Sequence, residues 1–234
     1  MIIMAIYNRE KAYIRLLTER PYTVKELAEI LYISEPTVRR DVRQMIENDL
    51  IECVRGVVSL KTTSPDRRIP LFLREVKNAE EKRAIARHAI AHVKDGMSIM
   101  LDASSTAYCL VPLLADFQNI LVITSGAKTA LALASYGINT ICTGGKLITS
   151  SCSYIGGDAI RTLNSYNADL AFFSCHALSE DGMASDTSIE ENEIRKIMIK
   201  RARESYLLCD RSKLGRRELN VLCDTKEITG VILG

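Results

Sequence analysis

A chain of 234 residues has room for one large domain or for two unequal ones. Apolar residues make up 47% and charged residues 26%, which excludes a disordered chain and a fibrous protein. The 31 Lys and Arg nearly balance the 29 Asp and Glu, so the net charge of +2 neither requires nor excludes nucleic acid. Seven cysteines without a C-x-x-C pair favour reduced thiols, and no stretch reads as a signal peptide or a membrane span. We therefore expect a globular cytoplasmic protein.

Apolar residues at helical spacing predict three helices before residue 50. The first covers about residues 9–19 and ends before Pro21, because proline disfavours helix in the residue ahead of it. The second follows Thr23 and the third follows Ser34, both of which suit a helix N-cap. The apolar stripes consist of Tyr13, Leu16 and Leu17 in the first helix, Val24, Leu27, Ala28 and Leu31 in the second, and Val38, Val42, Met45 and Ile46 in the third.

A short hairpin and a linker follow these helices. The apolar-rich runs LIECV and VVSL flank Arg55-Gly56, which predicts a β-hairpin with its turn at that pair. Residues 1–60 are therefore expected to form a winged helix-turn-helix domain. Residues 61–74 contain two prolines and no apolar period, so they are expected to form a linker to a second domain over residues 75–234.

Predicted strands and helices alternate from residue 75 onward, which is typical of βαβ units and a mostly parallel α/β sheet. We expect strands at 98–101, 120–123, 138–142, 170–174 and 206–209. Helices are expected at 79–93, 106–115, 128–134, 158–163 and 189–203, and Pro112 is expected to kink or shorten the second of these.

The third helix carries polar residues that its apolar stripe leaves exposed, namely Thr37, Arg39, Arg40 and Arg43. In a helix-turn-helix, this is the helix that enters the DNA major groove. Arginine pairs with guanine or phosphate, and the hydroxyls of Ser34 and Thr37 suit phosphate or base edges. Residues 1–60 hold nine basic and nine acidic residues, so a winged helix that binds protein, with a merely solvated arginine face, is the alternative.

The segment TVKELAEILYISEPTVRRDVRQM resembles the helix-turn-helix of the DeoR-type bacterial transcriptional regulators. The match runs without a gap from ELA through the Ile-Ser pair to Thr-Val-Arg-Arg-Asp. The wing departs from the family, which has a glycine, a basic residue, a histidine and a glycine pair where this chain has Asp49, Cys53, Arg55 and Gly56-Val57. The resemblance implies binding to a double-stranded DNA operator through Ser34, Thr37, Arg39, Arg40, Arg43 and, in the wing, Arg55.

Small, hydroxylic and glycine residues follow the predicted strands of the second domain. Ligands of open parallel sheets bind outside the carboxyl ends of the strands, so these residues are expected to share one rim. A helix beginning at Thr106 adds amide groups that favour phosphate, whereas Asp102 suits sugar hydroxyls. Taken singly, such residues are more often caps, turns or solvated charges. The rim consists of Asp102, Ser104, Ser105, Thr106, Thr124, Ser125, Gly144, Gly145 and Lys213.

The second domain resembles the sensor domain of the same family in three segments, EEKRAIARHAIAHVKDGMSIMLDASSTA, GGK and CDRSKLG. That sensor domain is similar to ribose-5-phosphate isomerase and typically senses a phosphorylated sugar. The resemblance implies that the effector contacts Asp102, Ser105, Thr106, Thr124 and Lys213. Ser104 replaces a family glycine and Ser125 a family asparagine, which leaves a different effector, or none, as alternatives.

Three other groups of residues suggest chemistry less strongly. His88 and His92 are one helical turn apart but lack the glutamate of a metalloprotease motif, so we expect no metal site. Cys175 and His176 are adjacent, and their side chains would point to opposite faces of an extended chain, so we interpret them as structural. The acidic residues within 180–193 are interpreted as a solvated loop and a helix N-terminus.

The sequence therefore predicts a DNA-binding transcriptional regulator, a repressor of sugar-metabolism genes whose operator affinity a phosphorylated sugar modulates. We expect no catalytic residue and no cofactor. A homo-oligomer is expected because two protomers match the two half-sites of a palindromic operator. The enzymatic alternative is a sugar-phosphate isomerase with a DNA-binding module, which would need a carboxylate base on the same rim as Lys213.

Overall fold

The computed structural model describes residues 2–47, 51–60 and 71–234. The chain divides into two compact units, Met1–Lys77 and Asn78–Gly234. The expected linker covers residues 61–74, and its first ten residues, 61–70, lie outside the described residues. Its last four residues are helical where a linker was expected, because they open a helix, Leu71–Val76, that packs against the first helix of the chain.

The first unit combines helices with a small antiparallel sheet. Its described helices are α1 (Ile2–Glu19), α2 (Val24–Leu31), α3 (Glu35–Glu47) and α4 (Leu71–Val76). Its strands are β1 (Tyr22–Thr23), β2 (Ile51–Val54) and β3 (Val57–Leu60), in the order β1-β3-β2. The predicted hairpin between β2 and β3 is confirmed, with Arg55 and Gly56 in its turn at φ values of 51° and 79°. The two residues of β1 are too few to produce a strand pattern in the sequence.

Capping and apolar stripes explain where these helices lie. The Thr23 hydroxyl accepts a hydrogen bond from the Glu26 amide at 3.2 Å, and the Glu26 carboxylate accepts one from the Thr23 amide at 2.7 Å. This reciprocal capping box begins α2, as the N-cap prediction requires. The predicted stripes meet in one core, with the exception of Ile46, which is 41% exposed. Ile46 lies about 100° around the helix from its buried neighbour Met45, so the two cannot both face the core.

The second unit contains eleven strands, six of which form a large parallel sheet. The strands are β4 (Ser98–Leu101), β5 (Leu121–Thr124), β6 (Asn139–Cys142), β7 (Lys146–Ile148), β8 (Ser153–Ile155), β9 (Ala168–Ser174), β10 (Ala177–Leu178), β11 (Met183–Asp186), β12 (Ala202–Cys209), β13 (Asn220–Asp224) and β14 (Gly230–Leu233). Six of them form the central sheet in the order β14-β12-β9-β4-β5-β6, and all neighbours in it are parallel. The predicted α/β architecture is confirmed.

The helices of this unit are α5 (Ala79–Ala89), α6 (Ser105–Tyr108), α7 (Val111–Leu114), α8 (Ala127–Ser135), α9 (Gly157–Asn164) and α10 (Ile189–Arg201). The helix predicted over residues 106–115 is two short helices, α6 and α7. Pro112 lies in the first turn of α7, where its missing amide hydrogen breaks no helical bond, so the predicted shortening is confirmed. The helix predicted to end at residue 203 stops at Arg201, because β12 already begins at Ala202.

Helices cover both faces of the central sheet. Ile99 and Leu101 of β4 face a core shared with α5, α6, α7 and α8. Met100, between them in the sequence, faces the opposite core, which α9 and α10 close. This alternation is the period of two expected of a strand buried on both faces.

Two small antiparallel sheets were not predicted. The β7–β8 hairpin pairs Lys146 with Ile155, and β10, β11 and β13 form a three-stranded sheet. The hairpin lies against the carboxyl end of β5, where the Tyr154 amide donates to the Ser125 carbonyl at 2.7 Å. Among the described residues, none of the helices has both the length and the apolar character that crossing a bilayer requires.

Candidate functional site

The outer face of α3 carries arginines. Arg39, Arg40 and Arg43 are all exposed, as predicted. Arg39 forms an ion pair with Glu35, one turn earlier, at 3.2 Å. Arg40 and Arg43 form no ion pair with any residue that the structure describes. Their guanidinium groups are therefore available to phosphate oxygens or to the edge of a guanine.

Asp41 interrupts this run of arginines in the sequence but points into the protein. It is only 6% exposed, and its Oδ2 atom accepts hydrogen bonds from Arg9 Nε at 3.0 Å and from the Tyr13 hydroxyl at 3.3 Å. Burial and the neighbouring Asp41 carboxylate both raise the pKa of Tyr13. Arg9 therefore balances the charge of Asp41 inside the domain. The Asp41 carboxylate does not offset the arginines on the outer face of α3, although residues 1–60 hold equal numbers of acidic and basic residues.

The remaining residues expected at DNA lie at the start of α3 and in the wing. The hydroxyls of Ser34 and Thr37 are 2.9 Å apart. The Ser34 carbonyl accepts the first helical hydrogen bond, from Val38 at 3.1 Å, so Ser34 occupies the predicted N-cap position. Arg55 is exposed at the tip of the hairpin. These hydroxyls and this guanidinium group suit phosphate contacts.

In the second unit, the expected rim residues come together at one edge of the sheet. The carboxyl ends of β12, β9, β4, β5 and β6 are neighbours there because these strands are parallel and adjacent. Most rim side chains are buried, at 0–5% exposure: Asp102, Ser104, Ser105, Thr106, Thr124 and Ser125. Each must therefore be matched to a hydrogen-bond partner or to a ligand.

Asp102 organises the rim from within. Its Oδ1 atom accepts from the Ser104 amide at 3.0 Å, and its Oδ2 atom accepts from the Ser174 amide at 3.1 Å and from Arg195 Nε at 2.9 Å. An ionised carboxylate has about four acceptor positions, so three of them are already used. Asp102 thus joins the ends of β4 and β9 before any ligand binds.

The helix expected to begin at Thr106 is the four-residue α6, which begins at Ser105. Ser104 is its N-cap, with a hydroxyl that accepts from the Ala107 amide at 3.1 Å. The Ser105 hydroxyl accepts from the Nζ atom of Lys82, a lysine that is only 4% exposed, at 3.1 Å. Thr106 Oγ1 is buried and has no hydrogen-bond partner among the described residues. A buried hydroxyl without a partner marks a place for a ligand or a water molecule.

The loops after β5 and β6 depend on hydroxyl and glycine residues for their shape. Thr124 Oγ1 accepts from the Gly126 amide at 3.0 Å. Gly144 and Gly145 have φ values of 65° and 108°, which favour glycine. A Cβ atom at Gly145 would come within 2.6 Å of the Ile155 carbonyl oxygen. The backbone after β6 therefore passes too close to β8 for any side chain at Gly145.

Lys213 lies at the end of the rim that follows β12. Its Nζ atom donates to the Ser174 hydroxyl at 2.8 Å and lies 3.4 Å from Asp210 Oδ2. Burial would raise the pKa of Asp210, but the charge of Lys213 holds it below its ordinary value, with a smaller contribution from Lys82. Two lysines therefore act on this one carboxylate.

Behind the rim lies a buried ionic chain that the sequence analysis missed. Arg195 Nε donates to Asp102 at 2.9 Å and its Nη1 donates to Asp186 at 2.7 Å. Asp186 lies 2.8 Å from the Nδ1 atom of His176. Burial alone would raise the pKa of Asp186, but Arg195 and His176 hold it far below its ordinary value. Assigning Asp186 to a solvated loop was wrong, because the carboxylate is completely buried against Arg195.

The other residues singled out from the sequence have structural partners. His88 Nδ1 lies 3.2 Å from the Leu233 carbonyl, and His92 packs on the Tyr206 ring at a centroid distance of 4.2 Å. A hydrogen bond with Cys209 lowers the pKa of the buried Cys175. In the part of the chain that the structure describes, no group of three or more His, Cys, Asp or Glu side chains could hold a metal ion.

The sequence analysis did not predict that Lys82 and Arg195 are buried, although their positions in the sequence indicate it. Each occupies a position on the buried stripe of its helix, as the burial of Ile85 and Ala86 in α5 and of Ile194 and Met198 in α10 shows. A charged residue at such a position needs a buried partner from another element. That position is the signal that could have identified both residues.

A winged helix-turn-helix with an exposed arginine face, followed by an α/β unit with a polar rim, defines a DNA-binding transcriptional regulator with a sensor domain. The comparison with known families agrees. Residues 9–64 match the DeoR-like helix-turn-helix domain, and residues 77–234 match the DeoR C terminal sensor domain. The chain belongs to the DeoR family of transcriptional regulators.

Curated relatives match along nearly the whole chain. The HTH-type transcriptional regulator GolR of Listeria innocua is 35% identical over 212 residues, which cover 89% of this chain and 83% of GolR. The L-fucose operon activator of Escherichia coli is 31% identical over 219 residues, which cover 93% of this chain and 90% of that protein. Both are regulators of transcription by name.

One of the solved structures that this chain resembles is an enzyme. Ribose 5-phosphate isomerase A from Methanocaldococcus jannaschii matches 59% of this chain and 55% of its own, with a TM-score of 0.45 and 23% identity. The family assignment decides between the two interpretations of the sequence. The chain is a DNA-binding regulator and not an isomerase.

Proposed function

We propose that the chain represses genes of sugar metabolism and that a phosphorylated sugar, bound at the rim of the sensor domain, changes its affinity for operator DNA. Relatives named for sugar operons support the first part, the L-fucose operon activator among them. Because that relative is an activator, the sign of regulation needs its own test. Expression of a promoter fusion should rise when the gene is deleted, and a fall would instead indicate activation.

The DNA contact is proposed for α3 and the wing. The residues proposed to contact operator are Ser34, Thr37, Arg39, Arg40, Arg43 and Arg55. The observation that carries this proposal is the exposure of Arg40 and Arg43 without an ion-pair partner among the described residues, while Asp41 is turned inward to Arg9. Two unpaired guanidinium groups on one helix favour DNA over a neutral protein surface.

The effector contact is proposed for the rim residues Asp102, Ser104, Ser105, Thr106, Thr124, Ser125, Gly144, Gly145 and Lys213. It is supported by the buried Thr106 hydroxyl, which has no hydrogen-bond partner among the described residues. It is also supported by two lysines that donate to serines at the same edge of the sheet, Lys82 to Ser105 and Lys213 to Ser174. Hydroxyls and ammonium groups are the donors that a phosphate needs. The Asp102 carboxylate retains about one acceptor position, which a sugar hydroxyl can fill.

The first experiment tests the DNA contact. A duplex enriched from a random pool by the wild-type protein serves as the probe in an anisotropy titration at fixed salt. Arg40→Ala should lose about 1–3 kcal/mol of binding free energy, because one phosphate or base contact is removed. Arg87→Ala removes the same charge from the sensor domain and should bind like the wild type. Equal affinity for Arg40→Ala would rule out α3 as the reader.

The second experiment tests the effector contact. The thermal stability of the full chain is measured with ribose 5-phosphate, fructose 6-phosphate, glucose 6-phosphate and fructose 1,6-bisphosphate, because a ligand of the native state raises the melting temperature. Calorimetry of the best compound with Lys213→Ala should then show a clear loss of affinity. Lys226→Ala, an exposed lysine of the same domain, is the matched control. Unchanged binding to Lys213→Ala would place the site elsewhere.

We also propose that the regulator acts in the cytoplasm as a homo-oligomer. All seven of its cysteines are free thiols, as a reducing compartment permits. A symmetric pair of protomers matches a palindromic operator with two half-sites. Sedimentation of the full chain should show a dimer or larger species, and the enriched duplex should contain an inverted repeat.

A further inference from the structure

His176 is the one member of the buried ionic chain that reaches solvent. It lies two residues after the end of β9, at the carboxyl edge where the rim lies, and its side chain is 27% exposed. Three hydrogen bonds of 2.8, 2.7 and 2.9 Å lead from its ring through Asp186 and Arg195 to Asp102. The imidazole is thus connected to the rim by groups that are themselves almost wholly buried.

Asp186 is held in place by more donors than His176 alone. Its Oδ1 atom also accepts the amides of Thr187 at 2.7 Å and Ser188 at 3.2 Å, and its Oδ2 atom accepts from Arg195. These donors keep the carboxylate ionised, and an ionised carboxylate only accepts hydrogen bonds. The Nδ1 atom of His176 must therefore carry a proton and donate to Asp186.

This arrangement determines what the other ring nitrogen can do. When Nδ1 of a neutral imidazole carries the proton, Nε2 is an acceptor and not a donor. No hydrogen bond joins Nε2 of His176 to any residue that the structure describes. In the neutral ring, the contact with Asp186 therefore makes Nε2 a hydrogen-bond acceptor, on a side chain that is 27% exposed near the carboxyl end of β9.

We propose that His176 is an effector-contacting residue, whose Nε2 atom accepts a hydrogen bond from a hydroxyl group of the bound sugar phosphate. The proposal rests on the proposed function of the rim. It assigns to His176 a part in specificity: the residue selects effectors that have a hydroxyl donor near the β9 end of the site. The ammonium groups of Lys82 and Lys213 are the donors that suit the phosphate, a group that an acceptor nitrogen does not bind.

Two substitutions separate this role from a purely structural one. In His176→Asn, the side-chain amide can replace Nδ1 as the donor to Asp186 but has no atom at the Nε2 position. In His176→Gln, the amide reaches the Nε2 position and lacks the group at Nδ1. A contact through Nε2 predicts loss of effector affinity in the Asn variant and retention in the Gln variant, whereas a structural role predicts the reverse.

The experiment is calorimetry of both variants and the wild type with whichever of the four sugar phosphates named above binds the wild type. The Asn variant should bind about three- to tenfold more weakly, the range expected for one neutral hydrogen bond, and the Gln variant within about threefold of the wild type. The melting temperature without ligand reports the folding of each variant. An Asn variant that binds as the wild type does would overturn the assignment of His176 alone. If the wild type binds none of the four compounds, the proposed function fails, and the role of His176 with it.

Discussion

Substitution of Arg195 is expected to lower the stability of the protein most, because this residue lies between two buried carboxylates. Its side chain is 4% exposed and its partners Asp102 and Asp186 are 2% and 0% exposed. Arg195→Met keeps most of the volume but leaves both carboxylates without a cation. Removing one partner of a buried ion pair costs about 3–5 kcal/mol. For a domain of this size, that loss corresponds to a fall of about 6–20 °C in melting temperature.

The pH dependence of this loss has a definite sign. In the wild type, the pKa of Asp186 is below its unfolded value, so its contribution is complete above about pH 4 and is lost as the pH falls further. Without Arg195, the charge that most lowers the pKa of Asp186 is gone, so burial raises that pKa and protonation relieves part of the cost. The difference in stability between wild type and Arg195→Met should therefore shrink between about pH 7 and pH 5.

Hydrogen exchange of peptides covering β9 measures the stability of the sensor domain alone. The control is Arg161→Met, which breaks an exposed ion pair with Asp158 and should cost at most about 0.5 kcal/mol. An Arg195→Met protein within about 1 kcal/mol of the wild type, or a difference that stays constant with pH, would refute the argument that this chain of charges stabilises the domain.

Two further predictions concern the backbone. Thr23→Ala removes the capping box of α2 and should lower the unfolding free energy of the first unit by about 1 kcal/mol in urea denaturation followed by circular dichroism. Gly145→Ala should lower the melting temperature of the sensor domain clearly, because the new Cβ would meet the Ile155 carbonyl oxygen at 2.6 Å. Gly230→Ala, where the nearest atom would be 3.8 Å away, should change it little, and equal effects would contradict the close approach at Gly145.

Much of the fold could be predicted because its signals are local. Apolar periodicity placed α2, α3 and the second half of α1, and alternation of strands and helices gave the parallel sheet. The rim followed from a topological rule, since residues after parallel strands share one edge. The sheet of β10, β11 and β13 could not be predicted in this way. Its pairing joins Ala184 to Cys223 across α10 and β12, and its register shifts between Ala184 and Ser185.

The charged residues inside the two units have a common pattern. Asp41, Lys82 and Arg195 each lie on the buried stripe of a helix, and each contacts a residue far away in the sequence. Asp41 pairs with Arg9, 32 residues earlier, and Arg195 with Asp102, 93 residues earlier. Periodicity shows that such a residue is buried, but only the tertiary structure shows what balances its charge. The internal partners of Asp102 could not be predicted for this reason, because they come from β9 and α10.

The central claim is that effector binding at the rim changes the affinity of the first domain for DNA. The direct measurement is the anisotropy of the enriched operator duplex with the wild type and Lys213→Ala, each titrated with the sugar phosphate that stabilises the wild type most. The account predicts a change in operator affinity of about 5- to 150-fold for the wild type and a much smaller one for Lys213→Ala, with equal affinity of the two proteins in the absence of sugar. The same shift in both proteins, or none in the wild type, would contradict it.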